Sequence, residues 1–321
     1  MPFIKSINYF FKKRADTADR TLLYLVALNV VFGAIFILLN HIEFHYPDAA
    51  LFGMSTRNWL IAWNGFFWKA IAPSLVFFFY GIYIRTESPR ASTFLWGIGF
   101  FSLCVFANMM ITNAIQATPF SPIDPLLVKI DRFMGIDTPA LMTWTHNHPS
   151  IHNLFVNAYY SLIIELMGTL LILTVFSARK PLTIFYLAQL STILVGALIY
   201  YFFPTMAPSG VFIHCPYFTA TQKDTSLKFY QLHHFLKVTV TDDCGLIAFP
   251  SFHVVWAILL TNCYRDIKIV FYPAAIWNAV IIVSTIFLGW HYFADVIGGA
   301  VLAIAGIVFA EWIYRRALLD K

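Results

Sequence analysis

Charged residues are scarce in this 321-residue chain. Asp, Glu, Lys and Arg make up 12% of it, about half of the roughly 25% found in soluble domains. Hydrophobic residues make up 60%. So few charges cannot cover a water-soluble surface, which excludes a soluble enzyme or binding protein. The sequence therefore predicts an integral membrane protein.

Cysteines and linker-forming residues are also few. Four cysteines exclude a disulfide-dense scaffold, and no stretch is rich enough in Gly, Ser or Pro to form a disordered linker. The net charge of +5 would suit a nucleic-acid partner, but the basic residues lie beside apolar stretches, as in membrane proteins. We therefore expect no nucleic-acid partner.

Long apolar stretches recur along the chain. A helix needs about 20 apolar residues to cross the roughly 30 Å core of a bilayer. Eight stretches approach this length: 21–40, 66–85, 93–112, 154–177, 183–203, 248–264, 267–288 and 293–314. The second is the weakest, because Lys69 lies near its start. The sequence predicts an all-α, polytopic transmembrane helical bundle of about eight spans.

The basic residues also predict an orientation, because Lys and Arg accumulate in cytoplasmic loops. With the N-terminus inside, two thirds of the 21 basic residues lie on the cytoplasmic side. We expect cytoplasmic termini and three long outer loops, 41–65, 113–153 and 204–247. The basic N-terminal segment leads into a full-length span without a small-residue cleavage site, so we expect it to stay attached.

Polar residues lie at the starts of two predicted spans, at the predicted outer face. His253 lies near the start of the sixth span, and His291 and Asp295 lie at the start of the eighth. Four residues separate His291 from Asp295, so both can share one helical face. Such a carboxylate keeps one ring nitrogen protonated and leaves the other free to attack or to accept a proton. Helix N-termini also favour anions, so the pattern indicates a phosphate-handling site.

Plainer interpretations compete with this one. A single His at a membrane interface is commonly just an interfacial residue, and interfacial water can solvate an Asp one turn inside a span. His146, His148 and His152 lie close together in the sequence, but no Cys or carboxylate joins them at a recognised ligand spacing. We expect neither a metal nor a cofactor.

The residues around these His resemble a known family. Ser251, His253, Ser284, His291 and Asp295 match, position by position, the second and third signatures of the type 2 phosphatidic acid phosphatase superfamily. The match has departures. Phe252 stands where the family has Gly, Thr285 stands where it has Arg, and the family's first signature, a Lys with Arg-Pro seven residues on, is absent.

Two further segments are similar to the inositol phosphorylceramide synthase branch of that superfamily. Residues 203–208, which include Pro204, stand in place of the missing first signature. Residues 131–135 with Pro139 are similar to a stretch that the bacterial members of that branch also carry. The resemblance covers about 125–315 and implies a six-helix catalytic core. The implied division is a cytoplasmic segment 1–20, accessory transmembrane helices 21–124, the catalytic core 125–315 and a cytoplasmic tail 316–321.

The resemblance also implies a mechanism. His291 would attack phosphorus to form a phosphohistidine, Asp295 would orient it, and His253 would act as general acid and base. Ser251, Phe252, Pro204 and Ser284 would bind phosphate or substrate. The cations that bind phosphate in the phosphatases are missing. The candidates to replace them are Arg132, Lys223, Lys228 and Lys237, although ordinary solvated loop charge is the better explanation for each of them.

The function that follows is transfer of a phosphoryl-linked head group from a lipid phosphoester to an alcohol acceptor at the outer leaflet. As the resemblance to bacterial members implies, the membrane would be a bacterial inner membrane. One alternative is a lipid phosphate or diphosphate phosphatase, in which water is the acceptor. Another is a non-catalytic lipid transporter or scaffold. The oligomeric state is left open.

The cysteines give one more expectation. Cys215 and Cys244 are the two cysteines of the predicted outer loops, where an oxidising compartment permits a disulfide. We expect a bridge between them.

Overall fold

The computed structural model describes residues 16–39, 71–234, 236 and 248–319. Within these ranges the chain forms twelve helices and no strand. The helices are α1 (Thr17–Leu39), α2 (Ala72–Tyr83), α3 (Pro89–Ala114), α4 (Asp124–Phe133), α5 (Thr138–His146), α6 (Pro149–Val175), α7 (Arg179–Phe202), α8 (Pro208–Val211), α9 (Ala220–His233), α10 (Phe252–Cys263), α11 (Lys268–Phe287) and α12 (Phe293–Leu319). The predicted all-α transmembrane bundle is confirmed.

Six of these helices, α1, α3, α6, α7, α11 and α12, are long and apolar enough to cross a membrane. They coincide with six of the eight predicted spans. The other two predicted spans contain 12-residue helices, α2 and α10. At 1.5 Å per residue such a helix extends about 18 Å, less than the roughly 30 Å bilayer core. For α10 the sequence overestimated the length, because residues 248–251 form a turn before the helix. The start of the other predicted span, 66–70, lies outside the described residues.

Helix α7 is the centre of the bundle. It packs against α1, α3, α6, α10 and α12, and its side chains are buried on all sides, including Tyr186, Ala188 and Ala197. A helix that is apolar all round is typical of such a position. The remaining long helices are apolar and partly exposed, as expected of lipid-facing surfaces.

A buried ion network holds α1, α3 and α7 together at one end. Asp19, which is 1% exposed, accepts hydrogen bonds from Arg85 (2.5 Å), Arg179 (2.6 Å) and the indole N–H of Trp96 (2.9 Å). A buried charge is costly unless it is paired and hydrogen-bonded. The three donors meet that requirement, so the network fixes how these helices pack.

The described residues of the two predicted outer loops 113–153 and 204–247 form short helices. In α9 the Thr219 side chain accepts from Gln222 N and the Gln222 side chain accepts from Thr219 N, a capping box that satisfies N–H groups left free at a helix start. The Gln222 side chain also donates to Leu288 O (2.8 Å), and Ser226 Oγ donates to Met206 O (2.9 Å). These bonds hold α9 against the turns that carry the predicted site.

Candidate active site

The sixth predicted span places its His in the first turn of a helix. The Ser251 side chain accepts from Val254 N (3.4 Å) and so caps α10, and His253 is the second residue of that helix. Ser251 N also donates to Asp295 O (3.1 Å). The starts of α10 and α12 are thereby joined, which brings the two predicted motifs together.

Two acceptors lie beside one nitrogen of His291. Its Nδ1 is 3.0 Å from Ala248 O and 3.3 Å from Asp295 Oδ2. Because both partners are acceptors, Nδ1 carries the proton, and Nε2 keeps its lone pair. Asp295 Oδ2 also accepts from Tyr292 N (3.0 Å). His291 lies in the turn before α12 rather than within it, and Asp295 reaches it from the first turn of that helix.

The two His rings are neighbours. Their centroids are 5.7 Å apart, and both line a cavity of about 430 Å³. Aromatic rings fix His253 on its other side: it stacks on Tyr159 at 4.3 Å, and Tyr159 stacks on Trp290 at 5.0 Å. A reacting group in this cavity would meet both imidazoles.

Gly289 shapes the turn that carries Trp290 and His291. Its φ of +72° lies in the left-handed region that favours glycine. A Cβ added there would also lie 2.3 Å from the sulfur of Met142. Any other residue would be strained at this φ and would have to displace the Met142 side chain.

Two carboxylates of α4, Asp124 and Asp131, accept hydrogen bonds from the residues that follow His291. Asp131 accepts from Phe293 N (2.8 Å) and Ala294 N (3.1 Å), so it caps α12 across the fold. Asp124 accepts from Met206 N (2.9 Å) and from the Tyr292 hydroxyl (3.0 Å). Burial raises the pKa of Asp124 to about 6 and also raises the pKa of Asp131, while these hydrogen bonds oppose both shifts. The segment 131–135, recognised in the sequence, thus supports the His291 turn.

The other residues predicted to bind substrate lie at different distances from the cavity. Phe252 lines it. Ser251 and Ser284 are fully buried, and Ser284 donates to Ile281 O within its own helix (2.6 Å), so both hydroxyls serve helix ends. The Pro204 carbonyl accepts from Ile123 N, while the next three residues, 205–207, line the cavity.

The structure distinguishes the three candidate cations that it describes. Lys228, 6% exposed, lines the cavity with both His. Lys223, on the same helix, is exposed. Arg132 is exposed and lines a small separate cleft beside Asp131. Lys237 lies outside the described residues. Only Lys228 of the described three is positioned to meet a phosphate at the His pair.

The predicted disulfide stays a prediction. Cys215 is a buried thiol packed near Met142 and Phe218. Cys244 lies outside the described residues.

The polar residues of α3 were not among those predicted for the site. Asn108 and Thr112 of α3 line the cavity, and so does Gln116, two residues after that helix ends; all three precede the recognised core. The available signal was polar residues four apart near the end of an apolar span. Thr205 and Trp256 also line the cavity and were not singled out.

Comparison with known proteins agrees with the sequence motifs. The PAP2 superfamily model matches residues 125–309, more than half of the chain. A 68-residue segment is 38% identical to the "inositol phosphorylceramide synthase catalytic subunit aur1" of Schizosaccharomyces pombe; the match covers 20% of this chain and 15% of that protein. The chain thus aligns with a small part of the length of that relative. No solved structure matches the chain. The resemblance found in the sequence is confirmed.

Proposed function

The chain belongs to the PAP2 superfamily, a family of lipid phosphatases and phosphotransferases, and we propose that it transfers a phosphoryl-linked head group from a lipid phosphoester to an alcohol acceptor. The observation that carries the proposal is the paired His site: His291 with a free Nε2, held by Asp295 and Ala248, beside His253 in one cavity. The partial likeness to an inositol phosphorylceramide synthase subunit supports transfer rather than hydrolysis.

In the first step His291 Nε2 attacks phosphorus, a bond forms between them, and the bond from phosphorus to the lipid oxygen breaks. His253 gives its proton to the departing lipid alkoxide. In the second step His253 takes the proton of the acceptor hydroxyl, whose oxygen attacks phosphorus and releases His291. Asp295 and the Ala248 carbonyl keep the Nδ1 proton in place, and Asp295 stabilises the positive charge that develops on the ring.

Lys228 is proposed to bind the phosphate oxygens in place of the cations absent from the first and third signatures. A buried ammonium in the same cavity as the two His would compensate the charge of the pentacoordinate transition state, which is a large contribution to phosphoryl transfer. Two hydrogen bonds, from Gln222 to Leu288 O and from Ser226 to Met206 O, hold α9 in the position in which Lys228 lines the cavity.

The site is proposed to open to the extracytoplasmic side of a bacterial inner membrane, with both termini in the cytoplasm and residues 125–315 as the catalytic core. The distribution of basic residues supports this orientation. A membrane-impermeant thiol reagent applied to intact cells should label a cysteine placed at Lys223 and not one placed at Arg316. Labelling at Arg316 alone would reverse the orientation and move the site to the cytoplasmic face.

The reaction itself is tested with purified protein, a lipid radiolabelled in its head-group phosphate, and candidate alcohols. Transfer predicts that the label moves to the added alcohol. Release of a water-soluble phosphate regardless of alcohol would instead identify a lipid phosphatase. The transporter or scaffold alternative predicts that the lipid stays unaltered with and without alcohol. It also predicts that His253→Ala and His291→Ala keep any lipid transport that the wild type shows.

The two His are distinguished by the leaving group. General acid catalysis contributes about 10²–10⁴-fold when an alkoxide leaves, but a nitrophenolate needs little protonation. His253→Ala should therefore recover much of its activity on a nitrophenyl phosphodiester, while His291→Ala stays inactive on both substrates. Recovery of His291→Ala instead would exchange the two roles.

A further inference from the structure

Helix α4 lies where two membrane-crossing helices end. At its start, Ile123 N donates to Pro204 O, two residues after the end of α7. Near its end, Asp131 caps the first turn of α12. Because α7 and α12 are both long and apolar enough to cross a membrane, the ends that α4 joins mark one surface of the bilayer. Helix α4 therefore lies at the boundary between lipid and water, at the end of the bundle that holds the two His.

The two sides of α4 differ in composition. The side that faces the protein carries three buried residues, Asp124, Leu127 and Asp131. The opposite side, called the apolar side here, carries three large apolar residues at helical spacing, Leu126, Ile130 and Phe133. These three are 55%, 36% and 93% exposed. Apolar surface of this kind is unfavourable in water, so the apolar side of α4 calls for an apolar environment.

Exposed apolar side chains of the membrane-crossing helices lie near both ends of α4. Near its start, the rings of Phe120 and Phe202 are 5.2 Å apart; both are exposed, and Phe202 is the last residue of α7. Near its end, Ile297 is exposed on α12, one turn after the residues that Asp131 caps. The lipid that surrounds α7 and α12 is thus the apolar environment within reach of α4.

Two cations lie along one edge of the apolar side. Lys129 and Arg132 are exposed, and helical geometry places both between the buried side and the apolar side, on the same edge of the helix. Neither has an ion-pair partner in the part of the chain that the structure describes. The acidic residues of α4, Asp124 and Asp131, are buried on the other side. An apolar side bordered by cations is typical of a helix that lies in the plane of an anionic membrane surface.

We propose that α4 is an interfacial lipid-binding helix whose apolar side lies among acyl chains while Lys129 and Arg132 bind the phosphates of anionic phospholipids. Arg132 then serves the membrane surface and not the substrate phosphate. Asp124 and Asp131 connect this lipid contact to the turn that carries His291. The inference does not depend on the reaction proposed above, because it concerns the side of α4 that faces away from the site.

The apolar contact is tested by the surroundings of residue 133. Full-length Phe133→Cys is labelled with a thiol-reactive fluorophore in phosphatidylcholine nanodiscs, and labelled wild-type protein gives the background from native cysteines. Lipids brominated on their acyl chains should quench the label at 133, whereas iodide in the water should not. Lys223→Cys, exposed on α9, is the matched control and should show the reverse. Quenching at 133 by iodide, or by neither reagent as beneath a second protein chain, would overturn the inference.

The phosphate contact is tested with the same label in nanodiscs that contain equal amounts of phosphatidylcholine and phosphatidylglycerol, with bromine on one lipid at a time. The ratio of the two quenching effects should show a preference for the anionic lipid of about fivefold per cation. Lys129→Gln combined with Arg132→Gln should remove most of that preference, while Lys223→Gln should leave it unchanged.

Thermal unfolding identifies folded variants, and Lys129→Gln alone replaces a double variant that fails to fold. Equal quenching by the two brominated lipids when Lys129 and Arg132 are both present would overturn the inference. An undiminished preference in the folded Gln variants would overturn it as well.

Discussion

Replacement of Asp295 by Asn separates the charge of this residue from its geometry. Asp295 Oδ2 accepts from both His291 Nδ1 and Tyr292 N, and the Asn oxygen can take its place. The Ala248 carbonyl, 3.0 Å from Nδ1, still holds the ring and its proton. The variant therefore keeps the tautomer and loses the negative charge.

The magnitude follows from the distance. A unit charge about 3.3 Å from the imidazolium contributes about 4–5 kcal/mol at an effective dielectric constant of about 20. Relaxation of the site offsets part of this, so we expect the rate of phosphohistidine formation to fall by about 10²–10³-fold. The second Asp295 oxygen is buried without a partner among the described residues. An amide NH₂ at that position would cost about 1–3 kcal/mol of folding stability.

The assay is single-turnover transfer with labelled lipid, together with thermal unfolding in the same detergent. Thr169→Val is the control for stability alone, since it removes a buried hydrogen bond to Tyr264 at the end of α10 opposite His253. That variant should lose stability and keep its transfer rate. A fall of less than about tenfold in Asp295→Asn would show that Asp295 carries no charge in the transition state, and the argument would be refuted.

Three further predictions concern the phosphate, the bundle and pH. Lys228→Met should lower kcat/KM by about 10²-fold, the loss typical of one oxyanion donor. Lys223→Met, on the exposed side of the same helix, should leave kcat/KM unchanged. Equal effects of the two substitutions would show that α9 acts only through its net charge. Asp19→Asn should lower the free energy of unfolding by about 2–3 kcal/mol. The loss is smaller than for a fully buried pair, because the Arg85 and Arg179 side chains are 26% and 21% exposed. An unfolding titration that matches wild type would contradict the role of the ion network in packing α1, α3 and α7. Burial raises the pKa of Asp124 to about 6 from an ordinary value of 3.8, so its protonated form favours the folded state below about pH 4 and this contribution is lost as pH rises through 6. As pH rises from 4 to 7, the wild-type protein should therefore lose about 3 kcal/mol of unfolding free energy that Asp124→Asn, which does not titrate, keeps. Parallel pH profiles of the two proteins would refute this.

Much of the fold could be predicted from the sequence because the bilayer imposes a simple rule. A crossing helix must be apolar over about 20 residues, so six of the eight predicted spans coincide with long helices. The rule fails for α10, where the predicted span begins four residues before a 12-residue helix. Hydropathy records which residues avoid water, but not where the helical hydrogen bonds end.

In the candidate site, too, some features could be predicted from the sequence and others could not. The contact between His291 and Asp295 was predictable, because four residues of sequence separate them and local geometry brings them together. The cation was not, since Arg132, Lys223, Lys228 and Lys237 look alike as loop charges. Contacts of Gln222 and Ser226 with turns more than ten residues away orient α9 so that Lys228, rather than Lys223, faces the cavity.

The sequence by itself determined that the protein is a membrane bundle of the PAP2 superfamily and which two His and one Asp form its motifs. These properties depend on composition and on short spacings. Only the tertiary structure decided that Asp131 caps α12, that Ser251 and Ser284 serve helix ends, and that α3 lines the cavity. Each of these depends on which side of a helix meets a distant segment, and the packing of the whole bundle sets that.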